Sequence, residues 1–435
     1  APLRYRWQYN NFMFMTLGAI DEKLTGNTWE QDVKQKIFDP LGMVNSDFTI
    51  KELTSNSNAA LGYGVKKDSI IKKLDYYHIA AMSPAGAINS SVNEMANWVI
   101  AWINDGKFNG KEIIPVSFRN EAISPQSIIS SALPTKEKPD LFFSTYGFGW
   151  MLSSYKGHYR VEHGGNIDGF SASTSFFPSD SIGIIVLSNQ DGSLVPSIVR
   201  NVIADRMLGQ KYFDWSADLK KEKEKQKNQS DSSEKKADET NKPATHSLKD
   251  FTGNFNNPGY GTMNISLKND SLFAKAGDKV FWLRHNNYDV FDLFYIDPED
   301  GIDTTDLESL IKLQFHLNTS GDIESASAEL EAGIKPIEFK KQIAVKEIPK
   351  EELKKYIGEY EISGAMVKIF LKNDTALYAL VPGQPEYALL PVDKNKFAIK
   401  ILSGYFVQFT EDEKNKITGL TFIQPNGNFK AVKKQ

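Results

Sequence analysis

A run of 24 residues without a large apolar side chain divides the chain into two parts. Between Lys220 and Pro243 there is no Val, Ile, Leu, Met, Phe, Trp or Tyr. Such a run cannot bury enough apolar surface to offset the entropy lost on folding. We therefore predict a charged linker over 213–246, with a solvated helix over Lys220–Lys227 where opposite charges alternate. A docking site for a charged partner is the alternative.

The composition allows folded cores on both sides of this linker. The chain has 435 residues, of which 40% are hydrophobic, so two or three domains are expected. The 51 Lys and Arg against 55 Asp and Glu lack the basic excess that nucleic acid binding requires, so no nucleic acid partner is expected. Cysteine is absent, and no two of the six histidines lie one helical turn apart. We expect neither a metal nor another cofactor.

The first 212 residues indicate an α+β domain. Apolar residues recur at helical spacing over Phe12–Leu24 and Trp29–Ile37, and the capping box Ser91-Val92-Asn93-Glu94 predicts a helix through Ile103. A last helix is predicted over Leu194–Leu208. Between these helices, alternating residues and turn signals predict an antiparallel meander of strands, namely Gly149–Ser153, His158–His163, Phe170–Phe177 and Gly183–Ser188.

After the linker the chain repeats itself. The eight residues from Leu248 to Phe255 match those from Leu353 to Tyr360, and Leu-Lys-Asn-Asp occurs both at 267–270 and at 371–374. The two offsets, 105 and 104 residues, agree. Short alternating strands broken by Gly, Asn and Asp follow each copy. The pattern predicts tandem antiparallel β-barrel-like modules over 247–345 and 346–435.

Several short motifs of the first part occur in the order of one known family. They are Tyr9-Asn10-Asn11, Leu17-Gly18, Thr25-Gly26, Pro40-Leu41-Gly42-Met43, Ser83-Pro84-Ala85-Gly86 and His163-Gly164-Gly165. In these motifs, residues 1–212 resemble the serine β-lactamase and penicillin-binding-protein superfamily, in its branch of β-lactamase-related esterases, D-aminopeptidases and class C enzymes. The repeated modules resemble the lipocalin-like domains that follow such hydrolases.

The resemblance implies roles for five residues. Tyr9 would be the general base, Asn11 would contact a substrate carbonyl, and His163 would support Tyr9 or a substrate carboxylate. Gly165 and the backbone N–H of Asn166 would belong to the oxyanion hole. A tyrosine with an ordinary pKa near 10 can act as a base only where nearby cations favour its phenolate. The alternatives are plain packing for Tyr9 and an ordinary Gly-Gly hairpin turn at 164–165.

The nucleophile of the family is not found where the resemblance would place it. It is expected in Ser-x-x-Lys, on the order of 80 to 100 residues before Tyr-x-Asn, whereas eight residues precede Tyr9. Five Ser-x-x-Lys matches follow Tyr9, and none opens an apolar helix; they begin at Ser69, Ser153, Ser232, Ser233 and Ser309. We expect that this chain lacks the nucleophile and its lysine. Three outcomes are then open: a separate N-terminal fragment completes the domain, another chain pairs with the sheet, or residues 1–212 are only marginally stable. Strand Gly183–Ser188 would then lie at an open sheet edge.

These observations favour one function over two others. The leading interpretation is a serine hydrolase that acts on an amide, ester or β-lactam of a small molecule or peptide through an acyl-enzyme, this chain alone being inactive. The first alternative is a noncatalytic ligand- or peptidoglycan-binding protein of the same fold. The second is a barrel pair that binds small apolar ligands. No apolar run could span a membrane and no signal peptide is recognised, while the resemblance implies a periplasmic or otherwise extracytoplasmic location.

Overall fold

The chain forms two compact units, Ala1–Lys225 and Gln226–Gln435. A computed structural model describes residues 6–66, 70–130, 134–136, 139, 142–221, 224–225, 242–302, 304, 311–331, 333–373, 376–402 and 404–434. Most of the predicted linker, and with it part of the helix predicted over Lys220–Lys227, lies outside these residues.

The four helices predicted for the first unit are present, and caps mark the starts of the first two. The side chain of Asn10 caps the first helix by accepting from the Phe12 N–H, and Gly26 ends that helix with a φ of 79°. The second helix begins at the capping box of Thr28 and continues through a π-helical stretch, Lys34–Phe38. The α-helices are α1 Asn11–Thr25, α2 Trp29–Val33, α3 Asp39–Leu41, α4 Ile50–Ser55, α5 Ser83–Gly86, α6 Val92–Ile103, α7 Val116–Ala122 and α8 Val195–Met207, with a 3-10 turn at Ala80–Met82. Residues 215–221 are also helical.

The capping box predicted for α6 is only half formed. Ser91 accepts from the Glu94 N–H, as expected. The Glu94 side chain, however, is buried and accepts from the Asn45 backbone and side-chain nitrogens at 2.8 and 2.9 Å and from the Ser46 hydroxyl at 2.6 Å. Those hydrogen bonds keep the pKa of Glu94 below its usual value although burial alone would raise it. The carboxylate therefore fastens α6 to the loop after α3.

One antiparallel sheet forms the middle of this unit. It contains six strands in the order β10-β9-β8-β7-β6-β5. The strands of the unit are β1 Gly62–Lys66, β2 Ile70–Leu74, β3 Lys107–Phe108, β4 Lys111–Glu112, β5 Ser127–Ser130, β6 Ser144–Tyr146, β7 Met151–Tyr155, β8 His158–Ile167, β9 Phe170–Phe177 and β10 Ile182–Ser188. Two hairpins, β1–β2 and β3–β4, stand outside the sheet.

The sheet separates two apolar layers. Phe176 packs with Trp102 of α6 and with Trp150 on one face, whereas the next residue, Phe177, packs with Ile184 and with α8 on the other. The α+β class predicted for this part is confirmed as helices on both faces of an antiparallel sheet. In the described part of the chain, β10 pairs only with β9, as expected for an edge strand.

The prediction for β8 was wrong at its end. We expected the strand to stop at His163, and an ordinary hairpin turn at Gly164 and Gly165 was the alternative to a site there. Instead, β8 runs to Ile167 and keeps its register with β9 from Val161↔Phe176 to Ile167↔Phe170. Neither glycine has a positive φ, so an extended backbone with two missing side chains passes through the motif.

The second unit contains two antiparallel barrels, which confirms the tandem β modules. In the first barrel, eight strands close through the pairing of β14 with β15, and the short β16 adds to the outside. Its strands are β11 Gly253–Asn257, β12 Gly261–Lys268, β13 Ser271–Ala276, β14 Lys279–Asn287, β15 Val290–Asp297, β16 Gly301–Ile302, β17 Ile311–Leu317, β18 Ile323–Ala328 and β19 Ile337–Lys341.

The second barrel is closed by eight strands in chain order. A helical turn, α9 Lys350–Leu353 followed by the 3-10 turn Lys354–Tyr356, precedes it. Its strands are β20 Gly358–Ile362, β21 Ala365–Lys372, β22 Ala376–Leu380, β23 Glu386–Asp393, β24 Lys396–Ile399, β25 Phe406–Glu411, β26 Ile417–Gln424 and β27 Gly427–Lys433. Aromatic rings fill the centre of each barrel, so the interiors are packed cores.

The repeated motif joins the first and last strands of each barrel in the same way. In both copies a lysine of the last strand crosses a glycine of the first strand and donates to a backbone carbonyl ahead of it: Lys341 to Asp250 at 2.6 Å, and Lys433 to Lys355 at 3.1 Å. Each ammonium lies 5.6 Å from the centre of a buried ring, Phe255 in one barrel and Tyr360 in the other. The repeated glycine leaves room for the lysine stem.

We predict that Gly358→Ala lowers the free energy of unfolding of the second unit more than Gly364→Ala does. Both glycines have a positive φ, but a Cβ at 358 would lie 2.6 Å from Lys433 Cε, whereas one at 364 meets nothing within 4 Å. The difference should be about 1–3 kcal/mol, the usual cost of overpacking, measured by denaturant unfolding. Removing the lysine stem with Lys433→Ala should recover part of the loss. Equal losses in the two glycine variants would show that the crossing does not require glycine.

Candidate active site

The start of α1 brings Tyr9 to the sheet. Asn10 caps the helix, so Tyr9 is the last residue before the cap. Its ring centre lies 5.9 Å from that of His163 and 6.4 Å from that of Tyr146. Trp7 and Phe14 pack against the same ring at 6.1 and 6.2 Å. The aromatic run that could have been plain packing therefore also places Tyr9 beside the His-Gly-Gly motif.

His163 has a hydrogen-bond partner at each ring nitrogen. Its Nε2 lies 3.1 Å from the Tyr146 hydroxyl, and its Nδ1 lies 2.6 Å from the carbonyl oxygen of Gly164. The side chain is half-buried, whereas the next three residues, Gly164, Gly165 and Asn166, are exposed. The motif thus joins a fixed imidazole to an accessible stretch of backbone.

The two tyrosines of the site keep their protons in these surroundings. Burial raises the pKa of Tyr9, and burial together with the neighbouring Tyr9 raises the pKa of Tyr146. A role for Tyr9 as general base requires nearby cations that lower its pKa. Among the groups that the structure describes around Tyr9, burial dominates and the phenolate is disfavoured.

The backbone at 163–167 is open on one side. Strand β7 pairs with β8 only as far as Met151↔Glu162, while β9 pairs as far as Ile167. Within the described residues, the edge of β8 beyond Glu162 therefore has no strand partner on the β7 side. A Cβ at Gly165 would meet nothing within 4 Å, so the face of the strand at this glycine is open as well.

The side chain of Asn166 is engaged in hydrogen bonds, whereas Asn11 is exposed. The Asn166 side chain holds the loop after β10: it donates to Asp191 at 2.7 Å and accepts from the Gly192 N–H at 2.9 Å and from the Ser171 hydroxyl at 2.6 Å. Only its backbone N–H could therefore serve the predicted oxyanion role. Asn11 is the exposed first residue of α1.

A cluster of charged side chains lies on the other side of β8. Glu162 accepts from Arg200 of α8 and from Arg160, the latter at 3.0 Å. Arg200 also lies 3.4 Å from the Ser173 hydroxyl on β9. All three charged side chains are about 85% buried, with 14–15% exposure. The cluster ties the strand that carries His163 to α8.

Sequence reasoning missed Tyr146 and Glu162. The signal for Tyr146 is the following Gly147-Phe148-Gly149. A Cβ at Gly147 would lie 2.0 Å from the Ala122 carbonyl oxygen, and Gly149 has a φ of 80°. Both glycines are needed for the tight turn between β6 and β7 that places Tyr146 beside His163. Nothing in the local sequence distinguishes Glu162 from an exposed strand glutamate.

Two further observations concern the described residues as a whole. They contain no group of three or more His, Asp or Glu side chains placed to hold a metal ion. Their helices do not include one with the length and apolar character needed to cross a membrane.

Two parts of the chain match known protein families. A family model described as beta-lactamase matches residues 1–205. Residues 1–205, just under half of the chain, are therefore assigned to the β-lactamase superfamily. Residues 237–341, which include the first barrel, match a second model described as a domain of unknown function, DUF3471.

Two curated relatives of this β-lactamase-like chain are fungal. A protein named unguisins hydrolase from Aspergillus campestris is 27% identical over 299 residues, which are 64% of this chain and 53% of the relative. Its counterpart from Aspergillus violaceofuscus is 26% identical over 199 residues, which are 43% and 35% of the two chains. The chain therefore spans about half or less of the length of these relatives.

Among solved structures, an octameric penicillin-binding protein homologue from Pyrococcus abyssi has a TM-score of 0.43 at 18% identity, over 78% of this chain and 66% of that one.

We predict that Glu162→Gln destabilises the β-lactamase-like unit by about 3 kcal/mol, because two buried arginines would lose the carboxylate between them. Urea unfolding followed by tryptophan fluorescence measures the loss. Asp39→Asn is the matched control: it neutralises the acid of an exposed pair, with Lys34 Nζ at 3.2 Å, and should cost less than about 1 kcal/mol. A Glu162→Gln variant as stable as the control would show that the cluster does not hold β8.

Proposed function

We propose that this chain carries the Tyr-x-Asn and His-x-Gly parts of a serine acyl-transfer site, and that the whole protein hydrolyses an amide, ester or β-lactam through an acyl-enzyme. The observation that carries the proposal is the contact of the Tyr9 ring with His163 at the open edge of β8. Membership of the β-lactamase superfamily and two relatives named as hydrolases support the class of reaction.

Tyr9 is proposed as the general base. It would take the proton of the serine nucleophile and later that of the deacylating water. Because burial raises its pKa, this role requires a cation beside it. The resemblance assigns that cation to the lysine of Ser-x-x-Lys, which also brings the nucleophile. The proposal therefore includes a Ser-x-x-Lys segment encoded upstream of Tyr9.

The remaining residues bind the substrate. The exposed edge of β8 offers backbone donors and acceptors to an extended substrate, as a peptide or peptide-like amide would present. The backbone N–H at Asn166 would donate to the developing oxyanion beside Gly165. Asn11 would donate its amide to a substrate carbonyl. An extracytoplasmic location of the protein rests on the resemblance alone.

The raised pKa of Tyr9 favours one alternative function. A protonated tyrosine beside an open strand edge can bind a ligand without activating a nucleophile. The chain would then be a noncatalytic ligand- or peptidoglycan-binding protein of the same fold. The encoded residues upstream of Ala1 separate the two functions: the enzyme requires a Ser-x-x-Lys there, within roughly 120 residues of Tyr9 by the spacing usual in the family.

We predict that a form of the protein that includes this upstream segment hydrolyses p-nitrophenyl esters or chromogenic β-lactams. In that form, Tyr9→Phe should reduce kcat/KM at least about a hundredfold, the range of a positioned acid or base. The 435-residue chain alone should be inactive, because Tyr9 and His163 have nothing to activate. Tyr212→Phe is the control, since Tyr212 is 78% exposed. Equal rates for Tyr9→Phe and the parent would remove Tyr9 from the mechanism, and activity of the 435-residue chain would place the nucleophile within it.

A further inference from the structure

We propose that Tyr146 is a positioning residue of the site: it donates a hydrogen bond to Nε2 of His163 and so holds that ring as the neutral tautomer with its proton on Nδ1. The inference rests on the proposed function, because it assigns what His163 can do beside Tyr9. Tyr146 belongs to none of the motifs that carry the family resemblance.

The direction of both hydrogen bonds follows from the partners. A carbonyl oxygen can only accept, so the contact of 2.6 Å between Nδ1 and the Gly164 oxygen requires a proton on Nδ1. A neutral imidazole then has a bare Nε2, and the only proton available in the 3.1 Å contact is that of the Tyr146 hydroxyl. Burial of Tyr146, which raises the pKa of its hydroxyl, keeps that proton in place.

Packing fixes the Tyr146 hydroxyl in this position. Its ring lies edge-on to Tyr9 at 6.4 Å and is covered by Trp7 at 5.7 Å. The turn at Gly147 and Gly149 fixes its backbone. Tyr146, Tyr9 and His163 therefore form a closed aromatic triangle in which each ring touches the other two.

This arrangement narrows the role of His163. With Nδ1 committed to Gly164 and Nε2 committed to Tyr146, the neutral ring has no free nitrogen for a substrate carboxylate. His163 therefore supports Tyr9 by holding its ring, and the remaining lone pairs of the Tyr146 oxygen are the acceptors that the pair offers to a ligand. Of the two roles that were open for His163, support of Tyr9 and binding of a substrate carboxylate, only the first remains.

The test is the ring nitrogen spectrum of His163 in the 435-residue chain. Histidine is labelled with 15N, spectra are recorded near pH 8, above the usual histidine pKa, and His163→Gln assigns the signals. We expect the parent to show the Nδ1–H tautomer at His163. In Tyr146→Phe, the Nε2 signal should move towards that of a nitrogen without a hydrogen bond, because its donor is gone.

Tyr159→Phe is the matched control. Tyr159 lies on β8, the strand that carries His163. Its hydroxyl donates to the Ile123 carbonyl at 2.7 Å and does not touch His163. His158, held by Asp180 at 2.9 Å, is an internal reference for the fold of β8 in every variant. If Tyr146→Phe does not fold, the tautomer in the parent still decides.

Two results would overturn the inference: an Nε2–H tautomer in the parent, or an Nε2 signal that Tyr146→Phe leaves in place or that Tyr159→Phe moves equally. The failure of the proposed function is a different result. A full protein that hydrolyses nothing but shows the expected spectra would contradict the hydrolase and support the role of Tyr146. An active hydrolase with the Nε2–H tautomer would do the reverse.

Discussion

The pairing of β8 with β9 from Val161 to Ile167 is the interaction on which the site depends. It keeps an extended backbone through two glycines, which lose more conformational entropy on ordering than other residues do. The strand continues past the end of β7, so one edge is held while the other is open. The other features of the site are placed relative to β8. His163 and the two exposed glycines that follow it lie on this strand, and the Tyr9 ring packs against His163.

Different kinds of interaction hold the two faces of this strand. On the α8 side, Glu162 neutralises two buried arginines, which anchors the strand through charge. On the Tyr9 side, the contacts are aromatic rings and one hydrogen bond from Tyr146. Charges close to Tyr9 would alter its pKa directly, whereas charges across the sheet are separated from it by the strand. The arrangement leaves the ionisation of Tyr9 to burial and to whatever cation is placed beside it.

The two barrels show how a sequence repeat produces the same side-chain arrangement twice. Phe251 and Phe255 in the first copy, and Tyr356 and Tyr360 in the second, are fully or almost fully buried at equivalent positions. The glycine between each pair lets a lysine of the last strand cross the first. Burial lowers the pKa of both lysines, Lys341 and Lys433. Carbonyl acceptors and ring faces compensate for that burial, so the repeat motif supports the junction of first and last strand in both barrels.

The predicted linker has ordered residues at both of its ends. Trp215 stacks on Tyr155 at 6.3 Å and donates to Asp205 at 2.8 Å within the first unit. Thr245 donates to Asp289 of the first barrel through its backbone at 2.9 Å and through its hydroxyl. An apolar or hydrogen-bonding residue at either end of a polar run joins the nearest core, which composition alone does not reveal.

Local sequence determined the elements and their class: the caps at Asn10 and Ser91 start α1 and α6, alternating residues make β9, and equal spacing makes two barrels. These features depend on neighbours within a few residues or on a repeat, and both are visible in one chain. Tertiary structure alone decided that Glu94 bonds across to Asn45, that Glu162 bonds to Arg200, and that Tyr146 reaches His163. Those partners are 17 to 49 residues apart. Which of these side chains meet depends on how the strands and helices pack, because local propensity does not encode contacts across a sheet.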